Sequence, residues 1–144
     1  MFELSLTDSK IKIDNHLCRS YRDCNWGENR EDYDFEVLSY LKKFNGKLLE
    51  FEDDIGGVFV YDMKQFNSIS IGCLWINESH RGRRLNELIF DRLHLMNNRL
   101  YFFCLKNLLY FYKRKNFQEF YLKEHNCYLM SNYKITVESD LSIF

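Results

Sequence analysis

Apolar positions recur along this chain with two periods, and the switches between them mark out the elements. Phe2, Leu4 and Leu6 alternate with polar neighbours, the pattern of a short half-buried strand. Leu17, Tyr21 and Cys24 are spaced as on a helix, which Asp14 or Asn15 would cap. Phe35, Leu38, Leu41 and Phe44, with Val37, predict a second amphipathic helix over about 31–44, and Asn45-Gly46 ends it with residues that tolerate a left-handed backbone. Lys47 to Glu52 and Val58 to Met63 read as a hairpin around Asp53-Asp54-Ile55-Gly56-Gly57. Phe66 to Ile76 follows as a third strand, with Ile69, Ile71 and Cys73 alternating. Leu85, Leu88, Ile89, Leu93 and Met96 share one helical face between about 83 and 97. Leu100 to Leu105 is a continuous apolar run, the mark of a strand covered on both faces. Leu108, Leu109, Phe111 and Tyr112 predict a short helix, and Phe117 to Lys123 and Cys127 to Tyr133 two closing strands. A buried strand after a helix implies a parallel crossover. The predicted class is therefore α/β in the mixed α+β sense: one mostly antiparallel sheet flanked by about four helices.

A chain of 144 residues suits a single domain, 1–144, and 46% hydrophobic with 28% charged residues excludes a disordered chain. The absence of proline excludes polyproline linkers. The first residues, MFELSLTDSKIKID, lack the basic start and apolar stretch of a secretory signal. No apolar run approaches the roughly 18 residues of a membrane span. An odd number of cysteines (five) then points to reduced thiols and a cytoplasmic protein. His16, Cys18 and Cys24 cluster loosely, as do His125 and Cys127, but no Cys-x-x-Cys pair gives metal-ligand spacing, so no metal is expected.

The net charge of −1 hides an asymmetry. Residues 81–115 carry nine Lys and Arg against two Asp and Glu, whereas residues 1–80 carry nine against fifteen. A basic block of this kind attracts phosphates. Nucleic acid is disfavoured as its partner, because the rest of the chain would repel a long polyanion.

The block opens on Leu74-Trp75-Ile76-Asn77-Glu78-Ser79-His80-Arg81-Gly82-Arg83-Arg84-Leu85-Asn86, a strand, a basic turn and a helix start. Free N–H groups and the positive end of a helix dipole make such a turn an anion site, and Arg81, Arg83 and Arg84 add forked donors.

This stretch resembles the GNAT family of N-acetyltransferases, whose signature is an Arg/Gln-x-x-Gly-x-Gly/Ala loop between the fourth strand and the next helix. Arg81-Gly82 opens the loop as in the family, while Arg84 and Asn86 stand at its two small positions. Tyr112-Lys113-Arg114-Lys115-Asn116-Phe117 is similar to the family's Tyr-x-x-x-Gly-Phe, with Asn116 for the glycine. The family's pantetheine-contacting Asn falls on Leu105, and Asn107 lies two residues out of register. Met130 matches a methionine of the last strand.

The resemblance covers about residues 47–133. It implies the acyl-CoA N-acyltransferase fold and transfer of an acetyl group from acetyl-CoA to an amine, either a protein Lys or N-terminus or a polyamine-like acceptor. On this resemblance Trp75, Ile76, Arg81, Gly82, Arg83, Arg84, Leu85, Asn86 and Asn107 would contact acetyl-CoA. The backbone N–H near Trp75 or Ile76 would hold the oxyanion, and Tyr112 would protonate the leaving thiolate. Glu78 or His80 would be the general base, since an amine must lose its proton before attack.

In this fold the first two helices wall the acceptor site. Asp14, Asp23, Glu28, Glu31, Asp32, Asp34 and Glu36 would there favour a cationic acceptor. A homodimer is left open. The alternative is a non-catalytic protein of the same fold that binds a partner protein, its cofactor cleft closed by Arg84 and Asn86.

Overall fold

The computed structural model describes residues 2–104, 106–123 and 126–134. Within them the strands are β1 (Leu4–Thr7), β2 (Lys47–Phe51), β3 (Gly56–Met63), β4 (Ser68–Ile76), β5 (Leu100–Cys104), β6 (Gln118–Leu122) and β7 (Cys127–Ser131). The helices are α1 (Lys10–Cys24), α2 (Arg30–Lys43), α3 (Leu85–Met96) and α4 (Lys106–Lys113). The strands form one sheet in the order β1-β2-β3-β4-β5-β7-β6. Every neighbouring pair is antiparallel except β4 and β5.

The sheet is mixed because α3 carries the chain from the end of β4 back to the start of β5, which forces a parallel pair. That pair is short: Ile69 faces Leu100 and Ser70 faces Tyr101, and the register ends there. Beyond these residues the two strands part, and a cleft opens between their C-terminal halves.

The central strands are apolar on both faces because both are covered. Leu49, Val58, Val60, Phe102 and Met130 enter one cluster with Leu85, Ile89, Phe90 and Leu93 of α3. Leu48, Phe59, Tyr61, Tyr101 and Leu129 enter a second with Ile13, Leu17, Tyr33, Val37 and Leu41 of α1 and α2. Successive strand residues point to opposite faces, so neighbours in sequence serve different cores. Each fully buried Leu or Ile contributes about 1.5–3 kcal/mol.

Three elements differ from the reading of the sequence. α1 starts at Lys10, where the Ser9 side chain accepts from the Lys12 N–H, and not near Asp14 or Asn15. Its first turn holds two exposed lysines, so apolar spacing does not reveal it. The buried stripe of α2 is Tyr33, Val37 and Leu41, whereas Phe35 is 71% and Leu38 44% exposed. Two adjacent stripes of this helix are apolar, and packing on β3 selects one of them. On α3, Phe90 turns inward while Leu88 and Met96 stay exposed.

Candidate functional site

Asn77 builds the reversal after β4. Its side chain accepts from the Ser79 N–H at 3.1 Å and its carbonyl from the His80 N–H at 2.9 Å. Gly82 then takes φ +84° and Arg84 φ +59°. Arg84 occupies the N-cap position of α3, and no side chain caps the helix there. Ser, Thr, Asn or Asp would have bonded one of the first N–H groups through its side chain; here the Glu87 N–H turns back to the Arg84 carbonyl at 3.1 Å, and no side chain among the described residues takes those of Leu85 and Asn86. A cavity of about 260 Å³ lies at this helix end, lined by Ile76, His80, Arg81, Gly82, Arg84, Leu85, Asn86, Glu87 and Lys115.

Two features of the loop bear on what it can hold. The first is shape. Arg84 stands where the family motif has glycine, yet it adopts the left-handed backbone that glycine would supply. Asn116, the other glycine replacement, does the same with φ +68°. Both positions thus combine a side chain with a left-handed backbone. The second is an unmet hydrogen bond. The Oδ1 atom of Asn86 is buried at the cavity without a partner among the described residues. A buried acceptor left unpaired costs free energy, and a hydroxyl or amide N–H from a bound molecule would satisfy it.

Arg81 is committed in part elsewhere. Its Nε donates to the Ile76 carbonyl at 2.9 Å, and its Nη2 meets Asp23 Oδ2 at 3.0 Å. Arg83 is exposed beside the loop. Lys115, which the motif comparison passes over, comes from the turn after α4 to line the cavity, 3.9 Å from Glu87. Its place in the basic 81–115 block is the only mark it carries in the sequence.

Tyr112 is buried in the wall formed by α3, α4 and β5. Its ring packs edge-on against Phe102 at 4.6 Å between centroids, with Phe90 and Phe117 beside it. Burial raises its pKa well above the usual value, and the Cys104 and Cys24 thiols act in the same direction. The phenol is therefore protonated at neutral pH. Glu78 is exposed on the turn. His80 is half-buried with Nδ1 3.0 Å from Ser79 Oγ, and its ring meets Phe2 edge-on at 6.3 Å. Glu78 and His80 thus sit at the loop end of β4, and no contact among the described residues joins either to Tyr112. The side chain of Asn107 lies outside the described residues, as do Leu105 and His125.

The middle of β4 is irregular. Gly57 pairs with Trp75 and Phe59 with Gly72, so Cys73 and Leu74 together oppose Val58. Cys73 sits at this bulge with φ +56°. It is half-buried, and the alternation that placed it in the core breaks at this residue. Helix α1 answers the bulge. His16 Nε2 lies 2.7 Å from the Cys73 carbonyl, and the Cys24 thiol donates to the Leu74 carbonyl at 3.5 Å. The His16 ring stands edge-on to Phe59 at 5.0 Å and to Trp75 at 6.4 Å. Burial lowers the His16 pKa to about 4, outweighing the Cys73 bond that raises it. Burial raises the Cys24 pKa to about 12, so its thiol is a neutral donor.

The acidic residues of the first two helices divide into two sets. Asp34 holds Arg30 at 2.8 and 2.9 Å, and Asp23 holds Arg81. Glu28 and Glu36 have no such cation among the described residues. Burial raises the Glu28 pKa, as do a hydrogen bond that its protonated carboxyl donates to Glu36 and the negative charges of Glu36 and Asp32. Among the described residues no group of His, Cys, Asp and Glu is arranged to hold a metal ion, and no helix is long and apolar enough to cross a membrane.

No protein-family model matches the sequence, and no curated protein matches it. Solved structures do match in three dimensions. An acyl-CoA N-acyltransferase from Pseudomonas aeruginosa is 14% identical, with a TM-score of 0.71 over 92% of this chain and 100% of that chain. A GNAT-family acetyltransferase from Staphylococcus aureus Mu50 is 12% identical, with a TM-score of 0.63 over 91% and 100%. FeeM, an N-acyl amino acid synthase from uncultured soil microbes, is 7% identical, with a TM-score of 0.66 over 92% and 91%. With the parted β4–β5 pair, the α3 crossover and the loop before α3, these matches show that the chain has the acyl-CoA N-acyltransferase (GNAT) fold.

Proposed function

We propose that the protein transfers an acetyl group from acetyl-CoA to an amine. The observation that carries this reading is the uncapped start of α3. Gly82 and Arg84 have left-handed backbones, which suits a loop wrapped around a phosphate, beside a cavity that collects Arg81, Arg84 and Lys115. Phosphate oxygens suit the free N–H groups and guanidinium forks. The orphan Asn86 oxygen suits a hydroxyl or amide N–H, both of which coenzyme A carries. When bound, acetyl-CoA supplies the reactive thioester.

In the reaction the amine nitrogen attacks the thioester carbon, and the carbon–sulfur bond breaks. The amine's surplus proton passes to a base, for which Glu78 and His80 are the groups to test. The thiolate takes a proton from an acid, and Tyr112 suits that role because burial keeps its phenol protonated. Glu28, Asp32 and Glu36 favour a cationic acceptor, a Lys side chain or a polyamine, by simple charge complementarity.

One observation favours the alternative of a non-catalytic partner-binding protein: the guanidinium of Arg81 is already held by Asp23 and the Ile76 carbonyl. Isothermal titration with acetyl-CoA, followed by a thiol-release assay with spermidine and a Lys peptide, separates the two. A micromolar site with thiol release supports acetyl transfer. Absence of binding overturns it and leaves the alternative.

A further inference from the structure

We propose that His16 is a positioning residue for acyl transfer, holding the β4 bulge so that the Leu74 N–H faces the cleft between β4 and β5. The inference rests on the acetyl-transfer reading, but its geometry stands in the ligand-free protein.

Cys73 is the one non-glycine residue inside a strand that has a positive φ among the described residues. A side chain with a Cβ resists that conformation, so surrounding contacts must impose it. Two contacts meet residue 73: the Tyr33 hydroxyl at its thiol and the His16 ring at its carbonyl, and the second acts on the backbone. A carbonyl only accepts, so the Nε2 of His16 must carry the proton that bonds the Cys73 oxygen at 2.7 Å. The ring itself is fixed, 4% exposed and wedged between Phe59 and Trp75.

The consequence passes through one peptide unit. In a planar trans peptide the N–H of a residue points opposite to the preceding carbonyl. Anchoring the Cys73 carbonyl on α1 therefore turns the Leu74 N–H away from α1. Leu74 lies past the last β4–β5 pair, Ser70 with Tyr101, and no strand among the described residues pairs with that edge there. Cys24, on the last turn of the same helix, takes the Leu74 carbonyl and so holds the next peptide plane. Two side chains of α1 thus set two consecutive planes of β4. An N–H held in this way is suited to a developing oxyanion, because it needs no reorientation during reaction. On this proposal the donor is the Leu74 N–H, one residue ahead of Trp75 and Ile76.

The test uses His16→Leu, which removes the donor at similar volume, and His16→Gln, which can return an N–H to the same oxygen. A third protein, His16→Leu with Cys73→Gly, lets residue 73 adopt a positive φ unaided. Two quantities are read: the residue-73 backbone conformation from NMR shifts and couplings of the free protein, and kcat and KM for acetyl-CoA. In His16→Leu, residue 73 should leave the left-handed region and kcat should fall at least tenfold at unchanged KM. His16→Gln and the double variant should recover both. A Cys73 that stays left-handed in His16→Leu overturns the proposal, as does a kcat equal to the parent's. If the parent binds no acetyl-CoA, the acetyl-transfer reading fails by itself, and the backbone measurement still decides whether His16 sets the bulge. If His16→Leu does not fold, failure of Cys73→Gly to restore folding overturns the proposal.

Discussion

Arg81 and Asp23 are 58 residues apart in the chain and meet with Nη2 3.0 Å from Oδ2. The contact ties the loop before α3 to the last turn of α1, joining the proposed cofactor side to the helix proposed to wall the acceptor side. Both side chains are about half exposed, so the pair adds little stability, at most about 1 kcal/mol. Its interest lies in competition, because a phosphate in the adjacent cavity would draw on the same guanidinium.

Asp23→Asn should therefore tighten acetyl-CoA binding about two- to fivefold, the equivalent of a surface ion pair. The melting temperature should hardly move. Calorimetry at low and physiological salt checks this, with the larger gain expected at low salt. Equal affinity in parent and variant at low salt would show that Asp23 does not compete for Arg81.

Arg84 offers a separable test of charge and backbone. Arg84→Glu should weaken acetyl-CoA binding at least tenfold, since a charge-assisted phosphate contact is worth about 1.5–3 kcal/mol. Arg84→Gly should leave stability close to the parent's, because glycine accepts φ +59° without strain. Arg84→Val should cost about 1–2 kcal/mol in thermal or urea unfolding, because a β-branched side chain resists that backbone. A Val variant as stable as the Gly variant would contradict the left-handed N-cap.

Tyr112→Phe keeps the ring packed against Phe90, Phe102 and Phe117 and removes the hydroxyl. Turnover should drop by about 10²–10⁴-fold, the usual effect of one general acid. The melting temperature should change little, because ring volume is conserved. Normal turnover in this variant would take Tyr112 out of the mechanism.

His16 makes stability depend on pH. The unfolded imidazole binds a proton below about pH 6.5, but the folded one resists until about 4. Between these values the unfolded state carries more protons, so falling pH favours unfolding. The stability present above pH 6.5 should be lost towards pH 4, by about 3 kcal/mol at 1.36 kcal/mol per unit. Urea unfolding across this range should show a steeper acid loss in the parent than in His16→Gln. Parallel curves would mean that the ring is not buried as a neutral base.

Much of this protein is legible along the chain because it depends on local spacing. Periodicity locates the strands and helices to within a few residues, except for the start of α1, and Leu100 to Phe103 reads as a doubly covered strand because nearly every position there is apolar. The loop before α3 is legible because Arg81-Gly82 and the following helix are neighbours in sequence. Other features form only when distant segments meet. Which stripe of α2 is buried depends on β3, since Phe35 and Val37 are both apolar and only packing distinguishes them. The contacts of Arg81 with Asp23 and of Lys115 with the cavity close over many residues, and nothing beside them in sequence announces them. The bulge at Cys73 is the clearest case. By itself the segment Ile69 to Ile76 describes a regular strand. The positive φ at Cys73 coincides with a hydrogen bond from His16, 57 residues away, and a side chain with a Cβ holds that conformation only where the folded surroundings impose it.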